Sequence, residues 1–248
     1  MKWLRRLLTL LLLCGLPPYT FADSSQQTAL HPFTATYKLS LGSLTFGTVN
    51  VVLTIDAQGD YHYQAKTVTT GLISILRDDE VTEISRGRLK VDRVIPSHYS
   101  YHHKRPKKHH EVDLTFKWPE KKVINRTPES LWTMSIQPGV QDKFSQQLAL
   151  MLSLNRQEEP FTFRVADGGR LKTYDYLNQG SERVETTAGN YHSIRLDRQK
   201  NRRQSKATLW MAPELNYLPV KIVRHDGDNT FQMLLTELAW QPVVSNLN

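Results

Sequence analysis

Cysteine is nearly absent from this sequence. The single Cys14 sits in an apolar stretch near the N-terminus, so nothing after it can form a disulfide or serve as a thiolate nucleophile. Long hydrophobic runs are missing as well. The apolar run Leu7 to Leu16 has ten residues, whereas a membrane-spanning helix needs about 20. No Gly-x-Ser-x-Gly elbow, His-Glu-x-x-His pair or phosphate-cradling glycine loop is present, which removes the motif-bearing hydrolases, metalloproteases and nucleotide binders. Helical periodicity is scarce. Of 248 residues 39% are hydrophobic and 23% charged, with 12 Gly and 12 Pro. That balance excludes a polytopic membrane protein and a disordered chain, and fits one globular domain or two small ones.

The N-terminus has the layout of an export signal. Lys2, Arg5 and Arg6 precede the apolar run, Pro17-Pro18 ends it, and Thr20-Phe21-Ala22 offers a small-residue cleavage site. Residues 1–22 are therefore expected to be a cleavable signal peptide, with an uncleaved anchor as the alternative. A lipoprotein site takes a small residue just before its Cys. Leu13 stands there, so no lipid anchor is expected. Export without disulfides leaves the fold to its core, and points to a bacterial periplasm. Residues 23–30 read as a mobile lead-in and 241–248 as a C-terminal tail.

Between them, over 31–240, the dominant signal has period two. Phe33, Ala35, Tyr37 and Leu39 alternate with polar residues, as do Val49, Val51, Leu53 and Ile55, and later Val112, Leu114, Phe116 and Trp118. Turns such as Asp56 to Asp60, Asp167-Gly168-Gly169 and Asp226-Gly227-Asp228 separate them. Alternation broken by Gly/Asp turns predicts antiparallel hairpins with one buried face. The expected fold is all-β: a single antiparallel meander of about a dozen strands, barrel-like or sandwich, with one or two short helices. The better helix candidate is 142–154, with Phe144, Leu148, Met151 and Leu152 on one face and Asp142 as its N-cap. A second lies at 71–77. The aromatic residues on the alternating faces are core candidates first, cavity-lining residues second.

Two hairpin tips concentrate positive charge. His102 to His110 carries four basic residues, four histidines and no acid; Arg198 to Lys206 carries five basic residues and no acid. Loss of residues 1–22 takes the 32 basic residues to 29 against 24 acids, a net of +5. The two tips hold nine of those 29, and the remaining body has 20 against 24, or −4. A solvated loop is the bland reading of such a tip. Phosphate or carboxylate binding is the functional one, since Arg and Lys bring charge and several donors. Lys104, Arg105, Lys107, Lys108, Arg198, Lys200, Arg202, Arg203 and Lys206 are the candidate ligand-binding residues. Imidazoles titrate near pH 6.5 in general, so mild acidification would raise the first tip's charge. A metal reading of the histidines is weaker. Adjacent His on a strand point to opposite faces, so only a cross-hairpin pair such as His103 with His109 or His110 could share an ion, among four cations. No metal, cofactor or catalytic residue is assigned. The tips lack the aromatic interleaving of a single-strand nucleic-acid reader, and no nucleic-acid partner is expected.

The segment Trp210-Met211-Ala212-Pro213-Glu214-Leu215-Asn216-Tyr217-Leu218-Pro219-Val220-Lys221-Ile222 resembles the C-terminal signature of a family of exported bacterial proteins, the domain of unknown function 3108. Phe33 to Tyr37, Gly47, Thr70-Gly71-Leu72, Pro96 with Tyr99, Asp142-x-x-Ser145, Glu182 and Gly189 fit the same pattern. The resemblance spans roughly residues 31–240; the basic, histidine-rich hairpin looks like an elaboration of this chain. It implies an envelope-facing antiparallel β protein, similar to a barrel-like meander also seen in a lipoprotein of capsule-secretion clusters. It implies no substrate and no catalytic residue. Three functions stay open: non-enzymatic binding or handling of an anionic glycolipid, lipid or polysaccharide, which the tips favour; a scaffold docking on other envelope proteins; and a hydrolase without a recognisable motif.

Overall fold

A computed structural model describes residues 30–70, 80–104, 110–199 and 207–242. The alternating stretches become strands, each antiparallel to the one before: β1 (Phe33–Leu41), β2 (Leu44–Ile55), β3 (Asp60–Thr69), β4 (Glu80–Leu89), β5 (Val94–Lys104), β6 (His110–Lys117), β7 (Lys122–Thr127) and β8 (Ser130–Ser135). A two-residue strand β9 (Gln141–Asp142) and helix α1 (Ser145–Asn155) interrupt the meander. It resumes with β10 (Phe161–Asp167), β11 (Arg170–Thr186), β12 (Gly189–Gln199), β13 (Ala207–Ala212), β14 (Leu218–Asp226) and β15 (Asn229–Trp240). β15 returns to pair with β1. All fifteen strands thus form one sheet, running from β8 down to β1, then β15 down to β9.

The sheet is barrel-like and open. Its edge strands β8 and β9 do not pair with each other. One sheet curled on itself, rather than two facing sheets, resolves the barrel-or-sandwich alternative. The faces predicted to be buried are buried: Phe33, Ala35, Leu53 and Tyr63 point into one core. Leu30, at the end of the expected lead-in, joins that core. The signal peptide, residues 23–29, the 71–77 helix and residues 243–248 lie outside the described residues.

Helix α1 fills the curl. Sequence spacing predicts one apolar face, yet Leu150 and Leu154 are as buried as Leu148, Met151 and Leu152. A helix apolar all round belongs inside a core rather than on a surface. Strands on both sides hold its start. The Tyr176 hydroxyl of β11 donates to Gln146 Oε1 at 2.8 Å, and that of Tyr63 in β3 to Gln147 Oε1 at 3.2 Å. The Tyr63 ring stacks on Phe144 at 3.9 Å.

Asp142 caps the helix from two residues before Phe144, the residue at the N-cap position. Its Oδ1 accepts from the amides of Phe144 and Ser145 at 2.8 and 2.7 Å, while Ser145 Oγ accepts from the Asp142 amide at 3.0 Å. Other pieces of the family-like pattern also meet each other. Trp210 Nε1 donates to Glu182, and the Tyr37 hydroxyl donates to the Pro219 carbonyl at 2.9 Å. These residues specify the fold.

Candidate functional site

Strand direction alternates around the sheet, so the turns gather at two ends, and each end opens into a cleft of about 600 Å³. The first cleft lies where the β5–β6 hairpin, the β10–β11 turn and the C-terminal half of β14 converge. Tyr101 is at its centre. Lys143, between β9 and α1, places Nζ 5.3 Å from the Tyr101 ring centroid. His103 and His110 face each other across the hairpin and stand edge-on to the same ring at 6.3 and 5.7 Å. Arg224 of β14 and Trp132 of β8 also line it. Trp132 packs against Gly169, in the β10–β11 turn, and so bridges the gap between the sheet's two edges.

Two polar groups shape the wall. Asp167 Oδ2 accepts from Lys172 Nζ at 2.6 Å and from the Tyr174 hydroxyl at 3.0 Å. Burial raises its pKa, but the Lys172 hydrogen bond and the charges of Lys143 and Lys172 outweigh that, holding the carboxyl below the usual carboxylate range. Its negative charge is thereby engaged. Asn125 is 1% exposed, and its Oδ1 has no hydrogen-bond partner among the described residues. A buried polar atom left unpaired costs about 1–3 kcal/mol, which a bound donor would offset. Lys143, Arg224 and two imidazoles beside aromatic faces and an amide suit a sugar that carries phosphate or carboxylate.

Of the candidate residues read from the sequence, Lys104 and Arg198 are described, and neither lines this cleft. Lys104 is exposed at the end of β5. Arg198, at the end of β12, lies 4.6 Å over the ring of Tyr174, whose hydroxyl binds Asp167. Arg105, Lys107, Lys108, Lys200, Arg202, Arg203 and Lys206 lie outside the described residues. His103 and His110, of the first tip, line the cleft, and Ala207, after the second, is in register with Arg224, which also lines it. Sequence reading gave two separate loops and missed Asn125, Trp132, Lys143, Asp167 and Arg224. Only Asn125 left a signal, as a polar residue in phase with buried Val123. No group of three or more His, Cys, Asp or Glu able to hold a metal occurs among the described residues.

The second cleft, at the opposite end, is apolar. Val94, Ile95, Trp118, Leu152 and Phe163 line it, and the Asp92–Arg93 ion pair stands at its mouth. Gln141 is buried in its wall. Its Nε2 donates to the carbonyls of Val94 and Gly139 at 2.9 and 3.2 Å. That fixes which end of the amide is which, and leaves Oε1 buried with no partner among the described residues.

Between the clefts runs a buried polar chain. Tyr61 and Ser85 hydroxyls are 3.0 Å apart, and Ser85 Oγ donates to Asp142 Oδ2 at 2.7 Å. Burial pushes the Asp142 carboxyl up to about 6, despite the hydrogen bonds from Ser145, Ser85 and Phe144 that lower it. Tyr61, Ser85, Asp142 and Ser145 are all buried, and no histidine joins them. This chain seats the helix.

A family model described as "Protein of unknown function (DUF3108)" matches residues 33–236. Among curated proteins none matches the chain. The crystal structure of a beta-barrel-like protein of domain of unknown function DUF1849 from Brucella abortus superposes with a TM-score of 0.57 at 12% identity, covering 87% of this chain and 100% of that one. That likeness shows a shared fold and agrees with the open curl. MucB gives a TM-score of 0.35 at 8% identity over 88% of this chain, which spans 56% of the MucB chain; it carries no argument. Among the described residues no helix is long and apolar enough to cross a membrane.

Proposed function

Because this chain belongs to the family of proteins of unknown function DUF3108, whose description assigns no activity, we propose its role from its geometry: an exported periplasmic protein that binds, without chemical turnover, an anionic glycan or the headgroup of an anionic glycolipid. The observation that carries this reading is the convergence of Lys143, His103 and His110 on Tyr101 in a cleft that Arg224 also lines. The aromatic faces take sugar rings, the cations take phosphate or carboxylate, and Asn125 reads a hydroxyl. The N-terminal export layout supports the compartment. Titration calorimetry with oligogalacturonate and with dextran of equal length tests it. The acidic oligomer should bind, more weakly as salt rises, and the Lys143→Ser/Arg224→Ser double variant should lose at least tenfold in affinity, about 1.4 kcal/mol. Equal binding of both oligomers, or an unaffected double variant, overturns it.

A second reading rests on β8. Among the described residues this edge strand pairs with β7 alone, and it exposes Leu131 at 61% and Trp132 at 48%. An open edge with apolar side chains accepts a partner's strand, which would make the protein a docking module for another envelope protein. Cross-linking from position 131 to a partner strand in the periplasm, lost when Thr133 is changed to Pro, is the expected outcome.

A further inference from the structure

The cleft at the apolar end contains an acceptor that the protein's described residues do not satisfy, at the base of a greasy opening. We propose that this end is a separate binding site for an N-acyl amphiphile: one aliphatic chain joined through an amide N–H to a polar headgroup. The walls come from Val94, Ile95, Trp118, Leu152 and Phe163, and they offer a chain apolar contact with few polar demands. Trp118 spends its own N–H on the Pro96 carbonyl at 2.7 Å, so the indole presents only its faces and edges. Gln141 supplies the directional element. Its Nε2 is committed to the Val94 and Gly139 carbonyls, so the amide cannot turn over, and Oε1 stays an acceptor. The occupant must bring a hydrogen-bond donor to a buried point beside an apolar wall. A plain fatty acid, ionised at neutral pH, has none to bring. An acyl amide has one, next to its chain. At the mouth, the Asp92–Arg93 pair is exposed, where Arg93 can meet an anionic headgroup beyond the amide.

This site shares no lining residue with the cationic cleft, and the inference does not rest on the glycan reading. Probes that differ by a single methyl on the amide nitrogen test it. N-lauroylglycine carries the N–H; N-lauroylsarcosine does not. By calorimetry below their micelle concentrations, the full chain should bind N-lauroylglycine at least tenfold more tightly than N-lauroylsarcosine. Gln141→Leu, which removes the acceptor, should bring the two ligands to within about twofold of each other. A discrimination caused only by the bulk of the extra methyl would survive in Gln141→Leu, and that result overturns the proposal. Ser153→Trp, which leaves Gln141 intact and fills the cleft from the helix side, should abolish binding of both ligands while oligogalacturonate binding stays unchanged. No binding of N-lauroylglycine by the wild-type chain overturns the proposal and leaves the glycan reading standing. Loss of oligogalacturonate binding in Ser153→Trp, in a protein that still folds, overturns the independence of the two sites.

Discussion

Asp142 carries two opposing demands in one carboxyl group. It accepts from the amides that start α1 and from Ser85, which an anion does best, yet it is fully buried, which an anion resists. Burial wins, and the carboxyl sits at about 6 rather than at its ordinary 3.8. The sign for stability follows. Between about pH 4 and pH 6 the folded chain holds a proton on Asp142 that the unfolded chain has released, so this group's contribution falls as pH rises through that window. Above pH 6 both states are ionised and the folded state bears the whole penalty; two pK units correspond to about 3 kcal/mol. Asp142→Asn keeps an acceptor for the helix amides and cannot titrate. Urea midpoints at pH 4 and pH 7 should therefore show the wild type gaining about 2 kcal/mol over Asp142→Asn on acidification; parallel pH profiles would refute the buried-charge account. Asp142→Ala should lose the cap as well, a further 0.5–2 kcal/mol or so.

At the scale of elements, the meander tolerates little at its tight crossings. Gly87 lies in a bulge where β4 passes β5, and a Cβ there would stand 2.1 Å from the Ile95 carbonyl oxygen and 2.7 Å from Pro96 Cα. Backbone cannot step aside as a side-chain tip does. Gly87→Ala should cost upwards of roughly 2 kcal/mol by local rearrangement, read as a lower melting temperature with binding at the cationic end intact. In α1, Leu150 is fully buried although it falls off the face that spacing predicts. Leu150→Ala should cost about 2–5 kcal/mol, whereas a helix lying on the surface would lose almost nothing there, so thermal unfolding separates the two pictures. The same elements show what was legible. Strands with clean alternation, such as β1 and β2, could be read directly. β7 and β8 could not, because β7 buries an asparagine and β8 exposes its large apolar residues, Leu131 and Trp132. β11 reads as two strands, at 171–177 and 181–187, because Gly180 breaks the pattern; in the fold it marks a bulge within one long strand. Trp118-Pro119-Glu120 and Pro213-Glu214-Leu215 each form a 3-10 turn ending on a left-handed residue, Lys121 and Asn216. Their shared Pro-Glu follows from that turn.

On the scale of the whole molecule, the two proposed sites lie at opposite ends of the curl. The basic tips are local in sequence and could be read there, but which residues line the cleft depends on how far the sheet curls, which no local pattern encodes. Lys143 and Arg224 reach the same cleft from the β9–α1 junction and from β14, with no shared motif. Counted without residues 1–22, a body of −4 carrying +9 in two tips sets up a field that acts at a distance, while on the glycan reading Lys143 and Arg224 would act on contact. These two roles separate kinetically. Charges at a rim steer encounter and change the association rate, and charges within a site change the dissociation rate. With oligogalacturonate as probe in stopped flow, replacing Lys104, Arg105, Lys107 and Lys108 by Ser should slow association, and the loss should shrink at high salt as the Debye length falls from about 10 Å at 0.1 M to about 3 Å at 1 M. The Lys143→Ser/Arg224→Ser variant should instead speed dissociation and leave association nearly unchanged. If the tip variant alters only dissociation, the tips touch the ligand and belong to the site itself. If neither variant alters either rate, the positive end of the barrel is a solvated surface and the glycan reading fails with it.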